Sequence, residues 1–224
     1  MPIEKLNLRK LLQLFYADDR KRRSMLRADI REERAKKAGT NEAGGDFYGP
    51  FWADVRGHVA DKLNLGEQTK HRIASNKGRA RLYPILTDCF LSMWQEKIRW
   101  RNEPFQFASE SVKTQLNIEE LGAVVKIENT VSVVTWDGSR RVVYPYFFED
   151  PSLPAEGARL GFWLLSRALP EYHLREFRII DFHRRAYFRA EELGLVGNEE
   201  ALLISKFRRL ISERDALRDK FYTG

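Results

Sequence analysis

The chain has 224 residues, 43% hydrophobic and 32% charged, with fourteen Phe, eight Tyr and five Trp. That is enough for one large folded domain, alone or with a helical extension, under a heavily charged surface. It excludes a disulfide framework, since Cys89 is the only cysteine. The net charge of +7 and sequence pI of about 9.5 fit either an anionic partner, nucleic acid or an acidic protein, or simply a basic surface.

At the N-terminus, Leu8, Leu11, Leu12 and Phe15 recur at helical spacing. The helix is expected to continue through DDRKRRSMLRADIREERAKKAG, which holds nine Lys/Arg, five Asp/Glu and the sparse apolar residues Met25, Leu26 and Ile30. It reads as a solvated helix held by its N-terminal half. The competing reading, a basic arm that tracks phosphates, is weakened by the interleaved acids. No signal-type apolar core and no bilayer-length apolar run stand out, so the expectation is a cytoplasmic protein without a membrane partner.

Residues 39–50, GTNEAGGDFYGP, read as a flexible break. Beyond it Phe47, Tyr48, Phe51 and Trp52 form an aromatic cluster, read as a packing anchor at a helix start. Lys70, His71, Arg72, Lys77, Arg79 and Arg81 then crowd a helix end and a loop containing Gly78. Cationic side chains and free amides at such a place suit phosphate. Lys70, Arg72, Lys77, Arg79 and Arg81 are therefore the candidate nucleic-acid contacts. Leu82, Ile85, Leu86, Cys89 and Met93 lie beside Phe90, Trp94 and Ile98, predicting a core helix over 82–101 that stops before Pro104. Within it Cys89 is expected to be a buried, inert thiol.

The period then changes. GAVVKIENTVSVVTW alternates as one strand, with Val125, Ile127, Val131 and Val133 on one face and Lys126, Glu128, Thr130 and Ser132 on the other. Trp136, Asp137, Gly138 and Ser139 signal a tight turn. RRVVYPYFFE is the return strand, with Pro145 removing one ladder donor. SLPAEGARLGFWLLSRALPEY reads as a helix with Ser152 as N-cap and Pro170 closing it. EFRIIDFHRRAYF reads as one strand, with Ile180, Phe182, Ala186 and Phe188 on one face. A terminal amphipathic helix buries Leu203, Phe207, Leu210, Ile211, Leu217 and Phe221. Asp181 and His183, beside Arg185, read as the polar face of an outer strand or as a functional pair. The four histidines, His58, His71, His173 and His183, show no metal-ligand spacing.

The fold class expected is α+β: a helical N-terminal half on a small, mostly antiparallel or mixed sheet flanked by helices. The expected organisation is a helical region over 1–105 and an α+β core over 106–224, or one continuous domain. The order of elements over about half the chain, 82–188, resembles the RecB-like branch of the PD-(D/E)XK nuclease superfamily. The resemblance implies a restriction-endonuclease-like core. It also implies carboxylates on adjoining strands that hold Mg²⁺, with a lysine near the attacking water. On that alignment Glu128 matches the first strand carboxylate and Glu96 the helical glutamate. Val143 and Tyr144 stand where the second carboxylate belongs, and Phe147 lies near the lysine position. The expectation is a non-catalytic accessory protein, in DNA processing or defence, that binds nucleic acid, a protein partner or its own copy. The alternatives are a metal-dependent nuclease using Glu96, Glu128 and Glu149 with Lys126 in the lysine role, and a pure protein-interaction module.

Overall fold

The computed structural model describes residues 5–40, 47–94, 105–107, 112–135 and 138–222. Within them the chain is α+β, with one small and one large mixed sheet. The small sheet has the order β1 (Lys5–Asn7), β4 (Ala123–Ile127), β3 (Thr114–Ile118); β1 runs parallel to β4 and β3 antiparallel to it. The large sheet has the order β2 (Phe105–Phe107), β5 (Val131–Thr135), β6 (Arg140–Tyr146), β7 (Phe177–Asp181), β8 (Ala186–Arg189). Its neighbours are antiparallel except β6 and β7, which run parallel. A parallel pair needs a crossover, and α6 (Ala155–Ala168) supplies it. Gly161 lets that helix lie close: a Cβ there would stand 2.7 Å from Ile179 Cδ1.

The large sheet separates two apolar cores. Val142, Tyr144 and Tyr146 of β6, with Phe177 and Ile179 of β7, face the first. Packed on them are α1 (Leu8–Tyr16), α6, α8 (Glu199–Tyr222) and the apolar face of β4. Val143, Ile180, Val131 and Val133 face the second core, with Phe147 and Phe182 just past the strand ends. This side is covered by α3 (Gly49–Val59), α5 (Leu82–Met93) and Leu65 of α4 (Leu65–Ser75). Alternation along β6 therefore sends side chains into two different interiors. Phe147 is fully buried there, 4.8 Å from the Phe182 ring and stacked at 5.0 Å on Tyr48.

Two stretches that alternate like single strands are each two. The 123–135 stretch breaks at Glu128, Asn129 and Thr130, where Asn129 takes the left-handed conformation at φ 64°. Asn is among the few non-glycine residues that adopt it readily. The break sends Val125 and Ile127 into the first core and Val131 and Val133 into the second, so the four do not share a face. Likewise 177–189 folds back as the β7–β8 hairpin, turning through 182–185 with Arg185 at φ 51°. Asp181 holds that turn. Its buried carboxylate accepts hydrogen bonds from the backbone N–H groups of His183 (3.1 Å), Arg184 (3.2 Å) and Leu153 (3.0 Å). Ser152 does not cap α6; Pro154 occupies the N-cap position and makes no side-chain cap bond. The terminal helix runs as expected, with Leu203, Phe207, Leu210 and Leu217 buried. Part of the break over 39–50, part of the turn at Trp136 and Asp137, and Glu96 and Ile98 lie outside the described residues. No helix among the described residues is long and apolar enough to cross a membrane.

The N-terminal helices belong to this architecture. Asn7 caps α1 by accepting from Arg9 N–H at 3.0 Å, and the buried Tyr144 hydroxyl donates to the same Asn7 oxygen at 3.0 Å while accepting from Arg9 N–H at 2.9 Å. Next, α2 (Asp19–Lys37) buries Arg22, Leu26 and Ile30 and is clasped to α8 by ion pairs. Glu213 accepts from Arg22 at 2.7 and 2.9 Å, Arg209 meets Asp19 at 3.1 Å, and buried Arg214 pairs with Glu33.

Two outcomes follow from this packing. Phe147→Ala empties a ring-sized space between α3 and the sheet and should cost about 3–5 kcal/mol of unfolding free energy, read by denaturant titration. Hydrogen bonds from Arg22 and then Arg209 hold the Glu213 carboxyl below its ordinary 4.5 despite partial burial. A depressed carboxyl stabilises the fold above its unfolded value and loses that contribution as pH falls through the folded one. Thermal melts from pH 6 to pH 3 should therefore show a drop that begins near pH 4.5 and is shallower in Glu213→Gln.

Candidate functional site

The nuclease resemblance points to β6, and the side chains there are committed to packing. Val143 and Phe147 lie in the second core; Tyr144 lies in the first, bonded to Asn7 and to the Arg9 amide. Burial pushes the Tyr144 phenol well above its usual range, which keeps it a neutral hydroxyl.

Lys126 and Glu128 sit on and just beyond β4, which pairs with β1 and β3 rather than with β6. Together they line an open groove of about 360 Å³ whose other walls include Arg9, Lys10, Asp29, Glu32 and Phe148. Its charges are largely paired within the protein. Lys10 meets Asp29 at 3.3 Å, Glu32 meets Lys36 at 2.7 Å, and the Arg9 guanidinium lies over the Phe147 and Tyr48 rings at 5.3 and 5.7 Å.

Glu149 is in different company. Both its oxygens accept from Arg81 at 2.7 Å, a bidentate pair on the surface. Those hydrogen bonds hold the Glu149 carboxyl below the ordinary carboxylate range. A carboxylate with both oxygens engaged by a guanidinium is a poor ligand for a hard cation, which must displace that partner first. Among the described residues no group of three or more His, Cys, Asp and Glu side chains is placed to hold a metal ion. Where the resemblance places the second carboxylate and the lysine, the buried Val143, Tyr144 and Phe147 offer no carboxylate or amine to a cation. Glu96, the third carboxylate of the nuclease alternative, falls outside the described residues.

The same bidentate contact consumes one of the five candidate nucleic-acid residues. Arg72 is likewise occupied: its guanidinium donates twice, at 2.8 Å, to the buried Asp54 carboxylate and so ties α4 to α3. Arg79 folds back between the two flanking helices, over the Tyr83 ring of α5 at 5.4 Å and 3.4 Å from the Arg72 carbonyl of α4. Lys70 and Lys77 are exposed. The cluster that looks continuous in sequence thus presents two lysines outward and spends three arginines on structure.

The Asp181 carboxylate meets the backbone N–H of His183 and holds the turn. Asp181 is bonded to backbone amides, and burial lowers the affinity of the His183 ring for a proton. Cys89 is buried on the inner face of α5, and burial pushes its thiol up to about 12. An alkylating reagent should therefore leave Cys89 unmodified in the folded protein and label it only on addition of denaturant, read by intact mass; rapid native labelling would contradict this burial.

Exposed arginines that the mixed reading of α2 passed over are Arg20, Arg23, Arg27 and Arg31. The signal that locates them is their spacing of three, four and four residues. Comparison with protein-family models, with curated protein sequences and with solved structures found no match.

Proposed function

We propose that this chain is a non-catalytic, nucleic-acid-associated accessory protein built on a nuclease-like core that has lost its cleavage chemistry. Support for the core comes from the order of elements: helix α5, the β5–β6 hairpin, the crossover α6 and a parallel β7, with helices on both faces of the sheet. The observation that carries the loss is the filling of β6. A metal-dependent nuclease needs carboxylates and a lysine converging from adjoining strands on one open face. Here Val143, Tyr144 and Phe147 are each buried, and one polar atom among them, the Tyr144 hydroxyl, is bonded to α1. To restore ligands at these positions, charges would have to enter two closed cores, at a cost of several kcal/mol each unless paired.

The basic balance supplies the binding half of the reading. A net charge of +7 favours a polyanion, and nucleic acid is the polyanion on which a nuclease-like frame acts. The test uses the full chain with a labelled DNA duplex and the matching RNA duplex, with Mg²⁺ or Mn²⁺ present. Binding that weakens steeply with salt, and intact substrate after prolonged incubation, are the expected results. Metal-dependent cleavage lost in Glu128→Ala would establish the nuclease alternative instead. Failure to bind at low salt would leave the interaction module in its place.

A further inference from the structure

We infer that the nucleic-acid contact is made by α2, through a ridge formed by Arg20, Arg23, Arg27 and Arg31, rather than by the loop between α4 and α5. This rests on the nucleic-acid reading above and names its surface.

In sequence the segment is a mixture of signs. On the helix the signs separate. Residues three or four apart share a face, so at about 100° per residue the four arginines fall within an arc of about 80°. They rise along the axis for about 16 Å, roughly one guanidinium per turn. All four are exposed. The apolar positions Leu26 and Ile30 are buried elsewhere on the helix.

Each acid of the segment has a cap or a cation partner outside the ridge, and Asp19 alone also feels a ridge residue, Arg23. Asp18 caps the helix, accepting from Lys21 N–H at 2.7 Å. Asp19 pairs with Arg22 at 2.5 Å and with Arg209. Asp29 pairs with Lys10, Glu32 with Lys36, and Glu33 with Lys37 at 3.2 Å and with Arg214. None of the ion pairs among the described residues involves Arg20, Arg23, Arg27 or Arg31. Most of the acids are thus met by other cations, and the row of arginines faces solvent.

Four like charges on one face, at i,i+3 and i,i+4 steps, repel one another by a few tenths of a kcal/mol per pair. A straight polyanion relieves that cost. Arginine suits phosphate because its planar fork donates two parallel hydrogen bonds. A duplex presents one negative charge per roughly 1.7 Å of axis, so a ridge this long finds a phosphate for each guanidinium. A lipid surface fits less well: an interfacial helix inserts aromatic or aliphatic side chains beside its cations, and between these arginines stand Ser24 and Ala28. The clasp of α2 to α8 fixes the helix before binding, so only the arginine side chains themselves have to be ordered.

The test is a salt titration with a 20-base-pair DNA duplex of arbitrary sequence, using the full chain. Four phosphate contacts give a log–log slope of about −3.6, at about 0.9 per contact. Arg27→Gln/Arg31→Gln should flatten it by about 1.8, while Lys70→Gln/Lys77→Gln should leave it unchanged. Circular dichroism should give the same helicity and melting for both double variants, since all four side chains are exposed. If the wild type binds and the slope survives Arg27→Gln/Arg31→Gln, or is flattened by the lysine variant alone, the ridge is overturned and the nucleic-acid reading stands. Absence of duplex binding by the wild type at low salt overturns both. Competition by polyglutamate as effective, per charge, as by duplex, or binding to phosphatidylserine vesicles in place of duplex, overturns the phosphodiester assignment.

Discussion

The structure depends on a sheet that is covered on both faces. Strand β6 has neighbours on either side and helices above and below, so no side chain in its centre reaches solvent. Such a position accepts a residue by volume and shape, and it accepts a polar atom only with a partner in place. Tyr144 meets that condition through Asn7 and the Arg9 amide, and Tyr146 meets it by donating to the Pro151 carbonyl at 2.9 Å. Each hydroxyl thereby ties β6 to a segment that passes over its face. What would be reactive surface in an open sheet is here the joint between two cores.

The same joint brings the N-terminus into the fold. β1 completes the small sheet, and α1 packs against α6 and α8 on the first core. The following helix has few apolar residues to bury, and its attachment is largely ionic. Arg22 and Arg214, both nearly inaccessible, each face a glutamate on the opposite helix. Buried guanidinium groups of this kind need their partners more than the fold needs the pair, because losing a glutamate strands a charge away from water. Such pairs fix the register of α2 on α8, and that register decides which of the arginines of α2 turn outward.

Much of the architecture is legible in the sequence, in proportion to how far one short period explains it. α1, α5, α6 and α8 each carry an apolar stripe that packing then uses. The 123–135 stretch misleads because alternation survives a change of sheet. Asn129 turns the backbone without breaking the period, so Val125 and Val131 look alike in sequence and sit in different cores. The 177–189 stretch misleads in the same way, since DFHRR contains no glycine and Arg185 takes the left-handed position. Ile85, on the expected core stripe of α5, is 45% exposed: the helix turns a narrower face inward than its run of apolar residues suggests.

The candidate site was harder to read because charge in sequence carries no information about partners. Lys70 to Arg81 is a dense basic run, yet Asp54 and Glu149 cancel two of its arginines from 18 and 68 residues away. The α2 segment is diluted by acids in the chain and sorted by the helix in space. A count of charges ranks the first above the second; the pairing of those charges reverses the order. What a basic surface offers a polyanion is the charge left over after folding, and a 3.6-residue period is enough to concentrate that remainder on one face.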